Sequence, residues 1–359
     1  MFVIPAPLPE EMTKPTLYDV ANYGNLLVAH ANARRNKASY YGVRRCERNK
    51  EKMLHKLEDM LLLGNYRTSE YHNKTIIDSG KERMISKLPY FPDRIVHWAI
   101  IYQMESLFID AFSPRSHAAI PDRGIHSALK QTLELVRNPE NRYCLKLDVK
   151  KYFQHIDHDT LKEKLSGYTD DENLTALLFE IVDSFPEGIP IGNYTSQYFA
   201  NIYLTSFDAF LESAGYSHVR YMDDIIVFGK DSHSLHDLIK EIRKYLETEL
   251  KVSVKENWQI FPVAVRGIDF VGYRIFPFRT LIRKSTFLRM RRKLAKVRKH
   301  VEAGVLSDHD RSVIASYAGW VKYCTPKVRR VLYDKYFAGV LDKIPHEKKF
   351  VKNIKEQFK

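Results

Sequence analysis

The residues with the clearest chemical potential are two adjacent aspartates, Asp223 and Asp224. They lie in a short turn between two runs of strand-forming residues, Val-Arg-Tyr-Met before them and Ile-Ile-Val-Phe after them. Neighbouring carboxylates repel each other, and keeping them near a core is costly unless a cation neutralises them. Mg²⁺ prefers oxygen ligands and binds through one or two carboxylates together with substrate phosphates. The pair therefore predicts a metal site for nucleotidyl transfer, although an isolated Asp-Asp would more often be only a polar hairpin turn.

A third aspartate, Asp148, has a matching position at the end of a second strand. The segment Tyr-Cys-Leu-Lys-Leu-Asp-Val (143–149) has the pattern of a short buried strand. If this strand lies beside the Asp223 turn, Asp148 and Asp223 can bridge two Mg²⁺ ions about 4 Å apart, one activating a 3′-hydroxyl and one holding a triphosphate. Asp224 would be a conditional ligand, and the carbonyl of Val149 would complete the shell. We therefore predict two Mg²⁺ ions as the cofactor, with Mn²⁺ as the alternative ion.

Other groups of ligand-type residues have simpler explanations. Two histidines and two aspartates between positions 155 and 159 could bind a metal, but the N-terminus of a helix that begins near Asp157 explains them better. The three cysteines lie far apart without a C-x-x-C pair. They predict neither a zinc site nor a disulfide framework, and they fit a reducing cytoplasm.

Four segments occur in the order and approximate spacing of motifs A, B, C and E of reverse transcriptases. They are Asp-Val-Lys-Lys-Tyr-Phe (148–153), Gly-Ile-Pro-Ile-Gly (188–192), Tyr-Met-Asp-Asp (221–224) and Phe-Val-Gly-Tyr (270–273). The resemblance extends upstream through residues 94–97 and 123–126 and downstream through residues 316–322. It implies RNA-directed DNA polymerase activity and an α+β right-hand polymerase with fingers, an antiparallel palm sheet and a helical thumb. We expect an N-terminal extension and fingers over residues 1–140, a palm over 141–278 and a thumb over 279–359.

The opening third is predicted to be helical with one inserted hairpin. Strand-forming residues at 75–77 and 83–85 flank the turn Asp-Ser-Gly (78–80), and Lys81 and Arg83 lie near its tip. In the family this hairpin belongs to the fingers, and its basic residues close on the incoming triphosphate. We favour Arg83, because its planar fork can donate two hydrogen bonds to phosphate. Basic residues near a turn are otherwise often only solvated.

The resemblance assigns further residues to the nucleotide site. Phe153 has the register of an aromatic steric gate against the ribose 2′-hydroxyl, although a phenylalanine after a strand is more often part of a core. In motif B, Pro190 and Gly192 permit a bent loop near the nascent base pair, with a helix following from 194 to 211. Gln197 would face the duplex or hold that loop in shape, and Ile191 would contact the incoming nucleotide or pack beneath the loop.

Residues after motif C are assigned to the leaving group and the primer. A helix is predicted from His236 to Leu250, and Lys255 beyond it is near the motif D position, where a lysine can protonate the pyrophosphate. Gly272 and Tyr273 resemble the primer grip, in which glycine allows close backbone approach to the primer.

The segment from Arg283 to Lys299 contains nine Lys or Arg residues and no acid. Its apolar residues fall at helical spacing, which predicts one apolar stripe and one strongly basic face. Such a helix could also lie on a membrane surface or simply face solvent. After a polymerase palm, a thumb helix that follows the template–primer backbone is favoured, with phosphate contacts from Arg289, Arg291, Arg292, Lys293 and Lys296. A further helix is predicted to begin near Ser307, with Trp320 in the thumb core.

Composition agrees with this interpretation. The chain has 359 residues, is 44% apolar and carries a net charge of +13, which favours a polyanionic partner. The N-terminal residues lack the basic and apolar regions of a signal peptide, and no membrane span is visible.

The sequence of motif B indicates which group of reverse transcriptases the chain resembles most. Gly-Asn-Tyr-Thr-Ser-Gln (192–197) is similar to the form found in reverse transcriptases of diversity-generating retroelements, whereas group II intron enzymes usually carry glutamine at the position of Ile191. This implies a bacterial or phage-encoded cytoplasmic enzyme that copies a template-repeat RNA with errors concentrated at adenines. The implied partners are template RNA, the RNA–DNA duplex, dNTPs and a basic oligomeric accessory variability protein.

Two alternatives stay open. One is a bacterial defence-associated reverse transcriptase of the same fold. The other is a non-catalytic nucleic-acid-binding relative, and the intact Asp148, Asp223 and Asp224 argue against it.

Overall fold

The strands of the described residues form three separate sheets. The computed structural model describes residues 13–78 and 81–358. The first sheet is the antiparallel hairpin β1 (His72–Asp78) and β2 (Lys81–Lys87), in which Ile76 lies opposite Arg83. The second contains β3 (Tyr143–Asp148), β4 (His218–Tyr221), β5 (Asp224–Gly229) and β6 (Gln259–Pro262) in the order β4-β5-β3-β6. The third is the antiparallel meander β7 (Ile268–Phe270), β8 (Tyr273–Phe276) and β9 (Arg279–Ile282).

The second sheet is built from apolar strands. Residues 225–228 of β5 are all buried, and Leu145 and Leu147 of β3 are buried as well, as expected for strands that are covered on both faces. β3 pairs antiparallel with β6, from Tyr143 opposite Pro262 to Lys146 opposite Gln259. The predicted strand that ends in Asp148 and the predicted strand pair around Asp223 are therefore confirmed.

The chain divides into two compact units that interleave along the sequence. Unit 1 contains Met1–Asp122, Leu147–Ile225 and Asp237–Trp258, and unit 2 contains Arg123–Lys146, Ile226–His236 and Gln259–Lys359. The proposed division at residues 140 and 278 stays a prediction.

Unit 1 is rich in helices. In its N-terminal part α2 (Tyr23–Ala33) packs on the long α5 (Ile95–Ala111), which is buried along most of its length. α5 in turn contacts α10 (Tyr194–Tyr203), the helix that follows the motif B loop. The helices with residues in this unit are α1 (Leu17–Ala21), α2 (Tyr23–Ala33), α3 (Tyr41–Arg48), α4 (Lys50–Leu62), α5 (Ile95–Ala111), α7 (Tyr152–His155), α8 (His158–Ser166), α9 (Glu172–Asp183), α10 (Tyr194–Tyr203), α11 (Thr205–Ser213) and α12 (Ser232–Thr248).

Unit 2 joins the third sheet to a helical C-terminal region. Its helices are α6 (Ile125–Val136), α13 (Val263–Arg266), α14 (Lys284–Glu302), α15 (Asp308–Lys322), α16 (Pro326–Leu332), α17 (Ala338–Leu341) and α18 (Lys348–Glu356). α6 packs on β8, and α14 packs on α15 and α17. Ser307 caps α15 by accepting from the Asp310 N–H, so the predicted helix start is confirmed.

Two helix predictions need correction. The predicted helix over 194–211 is two helices, because Leu204 leaves the helical conformation. The Thr205 hydroxyl donates to the carbonyl of Ile202 at 2.8 Å, a local bond that competes with the helix. The helix predicted from His236 begins earlier, at Ser232. The acidic group near 157 is confirmed as a helix start, because Asp157 caps α8 by accepting from the Thr160 N–H.

Among the described residues, no helix combines the length and the apolar character needed to cross a membrane.

Candidate active site

The two adjacent aspartates lie where β4 turns into β5. Met222 adopts a left-handed backbone conformation with φ of 57°, which is unusual for a residue other than glycine. Asp224 is the first residue of β5, and Asp223 is the last residue of the turn. The N–H of Val149, directly after β3, donates to the carbonyl of Asp223 at 3.3 Å. The ends of β3 and of the turn are therefore adjacent, and Asp148 lies near Asp223 as predicted.

The electrostatics of Asp223 reflect this arrangement. Burial first, and then the charge of Asp148, raises the pKa of Asp223 from its ordinary value of 3.8 to about 6. Lys255 and Asp224 act in opposite directions on the same carboxyl. A carboxylate with a raised pKa beside a second carboxylate is a site that favours a cation.

Lys255 forms an ion pair with Asp148. The backbone supports this contact, because the N–H of Lys255 donates to the carbonyl of Asp148 at 2.9 Å and the N–H of Lys150 donates to Ser253 at 2.8 Å. Sequence reasoning assigned Lys255 to the leaving group, and nothing in its pattern indicated the pairing with Asp148. About a third of each side chain is exposed, so both groups are accessible to a ligand.

The donor set fits a hard divalent cation. It consists of carboxylate oxygens and a nearby backbone carbonyl, which are the ligands of Mg²⁺. Over residues 13–78 and 81–358, no three His, Cys, Asp or Glu side chains form a ready-made metal cluster.

The motif B loop is packed against the β1–β2 hairpin. The N–H of Ser86 in β2 donates to the carbonyl of Ile191 at 3.0 Å. Gly192 has φ of 137°, and a Cβ there would lie 2.4 Å from the carbonyl oxygen of Ser86. The glycine is therefore required by the hairpin itself, a contact that the sequence did not reveal.

Side chains that the sequence analysis did not select hold the start of α10. The Asn193 amide donates to the Tyr71 hydroxyl at 2.9 Å, and the Thr195 hydroxyl is 2.9 Å from Nδ1 of the buried His97. Gln197 is exposed on α10, and its predicted role at the duplex or the loop stays a prediction. Ile191 is 37% exposed, so it is not buried beneath the loop.

The remaining predicted nucleotide contacts have different degrees of exposure. Phe153 lies in α7 and is half-buried rather than part of the core. Its carbonyl accepts from the N–H of Ile189 at 2.7 Å, which ties α7 to the motif B loop. Arg83 is exposed in β2. The side chain of Lys81 and the turn at 79–80 lie outside the described residues.

A basic groove borders the motif B loop, and the sequence analysis did not predict it. Its volume is about 1090 Å³, and it is lined by parts of α3, α4, β2 and residues 192–194. Lys37, Lys87 and Arg94 all line it, and burial followed by the charges of Arg94 and Lys87 lowers the pKa of Lys37. Tyr40 and Tyr41 on the same groove are 61% and 74% exposed. The only sequence signal was the density of Lys, Arg and Tyr between positions 34 and 56.

In unit 2 the predicted primer-grip residues face the interior. A Cβ on Gly272, whose φ is 87°, would lie 2.5 Å from the indole ring of Trp320. Tyr273 is fully buried, and its hydroxyl donates to the carbonyl of Trp320 at 3.0 Å. The structural reason for this glycine is thus the packing of Trp320, which the sequence did not predict. A contact of this backbone with a primer stays a prediction.

Helix α14 has the predicted two faces. Met290, Leu294, Val297 and Val301 are buried. The predicted basic residues are exposed, namely Arg289, Arg291, Arg292, Lys293 and Lys296. The predicted apolar stripe and basic face are confirmed.

Comparisons with known proteins agree with these motifs. A family profile described as "Reverse transcriptase (RNA-dependent DNA polymerase)" matches residues 71–275, more than half of the chain. The group II intron-encoded protein LtrA of Lactococcus lactis subsp. cremoris is 26% identical over 223 residues, which are 58% of this chain and 37% of LtrA. The retron Ec73 reverse transcriptase of Escherichia coli is 24% identical over 283 residues, which are 73% of this chain and 87% of that protein.

A solved structure extends the comparison to the fold. Apo telomerase from Candida tropicalis matches with a TM-score of 0.51 and 13% identity, over 81% of this chain and 62% of that chain. At this identity the match concerns the fold alone. Together with the antiparallel sheets and helices described above, it supports the predicted α+β class.

Proposed function

The chain belongs to the reverse transcriptase (RNA-dependent DNA polymerase) family, and we propose that it extends a DNA primer on an RNA template with two Mg²⁺ ions held by Asp148 and Asp223. The observation that carries this proposal is the position of Asp223, where burial first and then the charge of the adjacent Asp148 raise the pKa of Asp223 to about 6. Asp224 would be a conditional ligand, and the Val149 carbonyl would complete the shell. When bound, the ions would activate the primer 3′-hydroxyl and neutralise the triphosphate.

Lys255 would have two successive partners. Without nucleotide it balances the charge of Asp148. With nucleotide bound, its ammonium would turn to the leaving pyrophosphate and donate a proton from Nζ to an oxygen. The partial exposure of both side chains leaves room for this exchange.

The incoming nucleotide would be enclosed by the hairpin and the motif B loop. Arg83, together with Lys81, would hold the triphosphate, and the ring of Phe153 would collide with a ribose 2′-hydroxyl. Ile191 and Gly192 would lie at the nascent base pair, with Gln197 exposed toward the duplex. The direct hydrogen bond between Ser86 and Ile191 supports a common pocket, because it joins the hairpin to the loop.

The template RNA would enter along the basic groove of unit 1. Lys37, Lys87 and Arg94 supply positive charge for phosphates, and the exposed rings of Tyr40 and Tyr41 are suited to stacking on bases. Residues 192–194 of motif B also line the groove, and the templating base would pair beside them.

The basic face of α14 would bind the template–primer backbone. The sequence from Arg283 to Lys299 contains nine Lys or Arg residues and no Asp or Glu. Phosphate contacts of this type add affinity without sequence preference.

For the biological setting, we propose a diversity-generating retroelement. The support is the segment Gly-Asn-Tyr-Thr-Ser-Gln (192–197) and the absence of a glutamine at position 191. The enzyme would then copy a template-repeat RNA with errors at adenines, together with a basic oligomeric accessory protein.

Primer extension on a defined RNA template tests the activity. The natural chain should extend an annealed DNA primer with dNTPs in Mg²⁺ and not in EDTA. Asp148→Asn and Asp223→Asn should abolish extension, whereas Asp231→Asn, a change at an exposed aspartate, should not. Near-normal extension by Asp223→Asn would refute the two-metal assignment.

Sequencing the cDNA tests the setting separately. Errors concentrated at template adenines support the retroelement, and evenly distributed errors would favour a defence-associated enzyme.

A further inference from the structure

A fully buried ion pair lies beside the turn of Met222 and Asp223 between β4 and β5, which we call the catalytic turn. Arg220, the third residue of β4, and Asp208 on α11 both have essentially no exposed surface. The Arg220 guanidinium donates to the Asp208 carboxylate through Nε at 2.8 Å and through Nη2 at 2.6 Å. This pair is part of unit 1, as is the whole Asp148–Asp223 site.

The remaining arm of the guanidinium points to the turn. Nη1 of Arg220 donates to the carbonyl of Met222 at 3.3 Å and to the Asn201 amide oxygen at 3.2 Å. Asn201 is itself fixed, because its amide nitrogen donates to the carbonyl of Ala118 at 2.8 Å. The same side chain thus joins α10, α11 and the catalytic turn.

The turn needs such support. Met222 has φ of 57°, and a left-handed conformation is unfavourable for a residue with a side chain. Its carbonyl is held by Arg220, and the carbonyl of the next residue, Asp223, is held by the Val149 N–H. Two consecutive carbonyls are therefore anchored, one by a side chain and one by the end of β3.

Stability alone does not explain a charged pair at this position. Removing two charges from water is costly, and well-packed apolar residues in place of a buried ion pair are often neutral or stabilising. An apolar pair would fill the same volume but could not donate to the Met222 carbonyl. The specific contribution of Arg220 is thus the directed hydrogen bond.

We propose that Arg220 is a positioning residue for the reaction: its guanidinium, oriented by Asp208, fixes the Met222 carbonyl and so keeps Asp223 facing Asp148. The inference rests on the proposed two-metal function of those aspartates. Arg220 touches neither substrate nor metal, and it acts only through the backbone of the turn.

Two variants separate positioning from stability. Arg220→Met combined with Asp208→Leu removes both charges and keeps the core filled. Arg220→Lys keeps a charge for Asp208, but its single nitrogen cannot reach the carboxylate and the Met222 carbonyl together. His218→Leu is the matched control, because His218 contacts Asp208 at 3.2 Å without reaching the turn.

The main measurement is primer extension as a function of Mg²⁺ concentration. Both Arg220 variants should have kcat lowered, and the Mg²⁺ midpoint raised, by about 10- to 100-fold, the usual effect of losing a residue that orients a metal ligand. The KM for dNTP and the binding of primer–template in EDTA should change by less than about threefold, and the control should behave as the natural protein does. Folded variants with kcat and Mg²⁺ midpoint within about twofold of normal would overturn the proposal.

Amide hydrogen exchange tests the turn without using activity. Exchange in residues 222–224 should become faster in both Arg220 variants and stay unchanged in His218→Leu. If the natural protein extends no primer, the proposed function fails, while this measurement still decides whether Arg220 holds the turn. If neither Arg220 variant folds, the pair is a stability element and the proposal is wrong.

Discussion

Replacing Asp223 with asparagine should stabilise the metal-free protein while abolishing its activity. The carboxyl of Asp223 is largely buried beside Asp148, and both effects disfavour its charge. Asparagine has nearly the same shape without the charge, so the variant avoids this unfavourable ionisation. Stability and activity should therefore change in opposite directions at one residue.

The size of the effect follows from the pKa. A rise from 3.8 in the unfolded chain to about 6 in the folded protein corresponds to about 3 kcal/mol lost when Asp223 ionises. Because the folded pKa is the higher one, the natural protein keeps this stability below pH 3.8 and loses it as the pH rises through about 6. The stability advantage of Asp223→Asn should thus be less than about 1 kcal/mol at pH 4 and approach about 3 kcal/mol at pH 8.

Denaturation in EDTA across this pH range measures the difference. Asp231→Asn is the control, because Asp231 is exposed and the N–H of Ser234 holds the pKa of Asp231 below its ordinary value, so this variant should gain no stability. Added Mg²⁺ should stabilise the natural protein more than Asp223→Asn and so reduce the difference in their unfolding free energies. Equal unfolding free energies of Asp223→Asn and the natural protein at pH 8, or the same difference at pH 4 and pH 8, would show that Asp223 is not a buried carboxylate repelled by Asp148.

Three further predictions concern the substrates. Phe153→Ala should increase ribonucleotide relative to deoxynucleotide incorporation in single-nucleotide extension. An unchanged ratio of the two would mean that this half-buried ring has only a structural role. Ile191→Gln should lower misincorporation opposite template adenine by roughly fivefold, the effect of one hydrogen bond of about 1 kcal/mol; equal error rates with activity retained would mean that infidelity arises elsewhere. Changing Arg291, Arg292 and Lys293 of α14 together to alanine should weaken RNA–DNA duplex binding for every sequence. The slope of log K against log salt should flatten by roughly one unit per lost contact. An unaltered slope would assign this face to solvent or a protein partner.

Local patterns predicted the elements that carry the aspartates. The strand ending in Asp148, the turn at Asp223 and the hairpin around residues 78–80 are each set by neighbouring residues, and their strand pairs are confirmed. The family prediction, an RNA-directed DNA polymerase, is confirmed by the profile match. These features depend on short-range alternation and on motif spacing, which a single sequence contains.

Long-range packing could not be predicted in the same way. Gly272 was assigned to a primer approach through its resemblance to the primer grip. Nothing near it in sequence indicates Trp320, whose ring occupies the space beside it. Gly192 likewise fits against Ser86, a residue of a distant hairpin. The pairing of Arg220 with Asp208 joins a strand to a helix, and neither position carries a periodic signal. In each case the partner is determined by tertiary structure.

The two facing carboxylates have their charges reduced or balanced within the protein. The ammonium of Lys255 pairs with Asp148, and burial followed by the charge of Asp148 raises the pKa of Asp223 to about 6. Lys255 thus balances Asp148, and the raised pKa favours the neutral form of Asp223, which lowers the cost of placing both carboxyl groups near the core. In the proposed reaction Asp148 would exchange Lys255 for a cation, so that metal binding and the freeing of Lys255 would be coupled. In the proposed reaction this coupling frees the lysine when a triphosphate and its cations arrive, which is when a proton donor for pyrophosphate is needed.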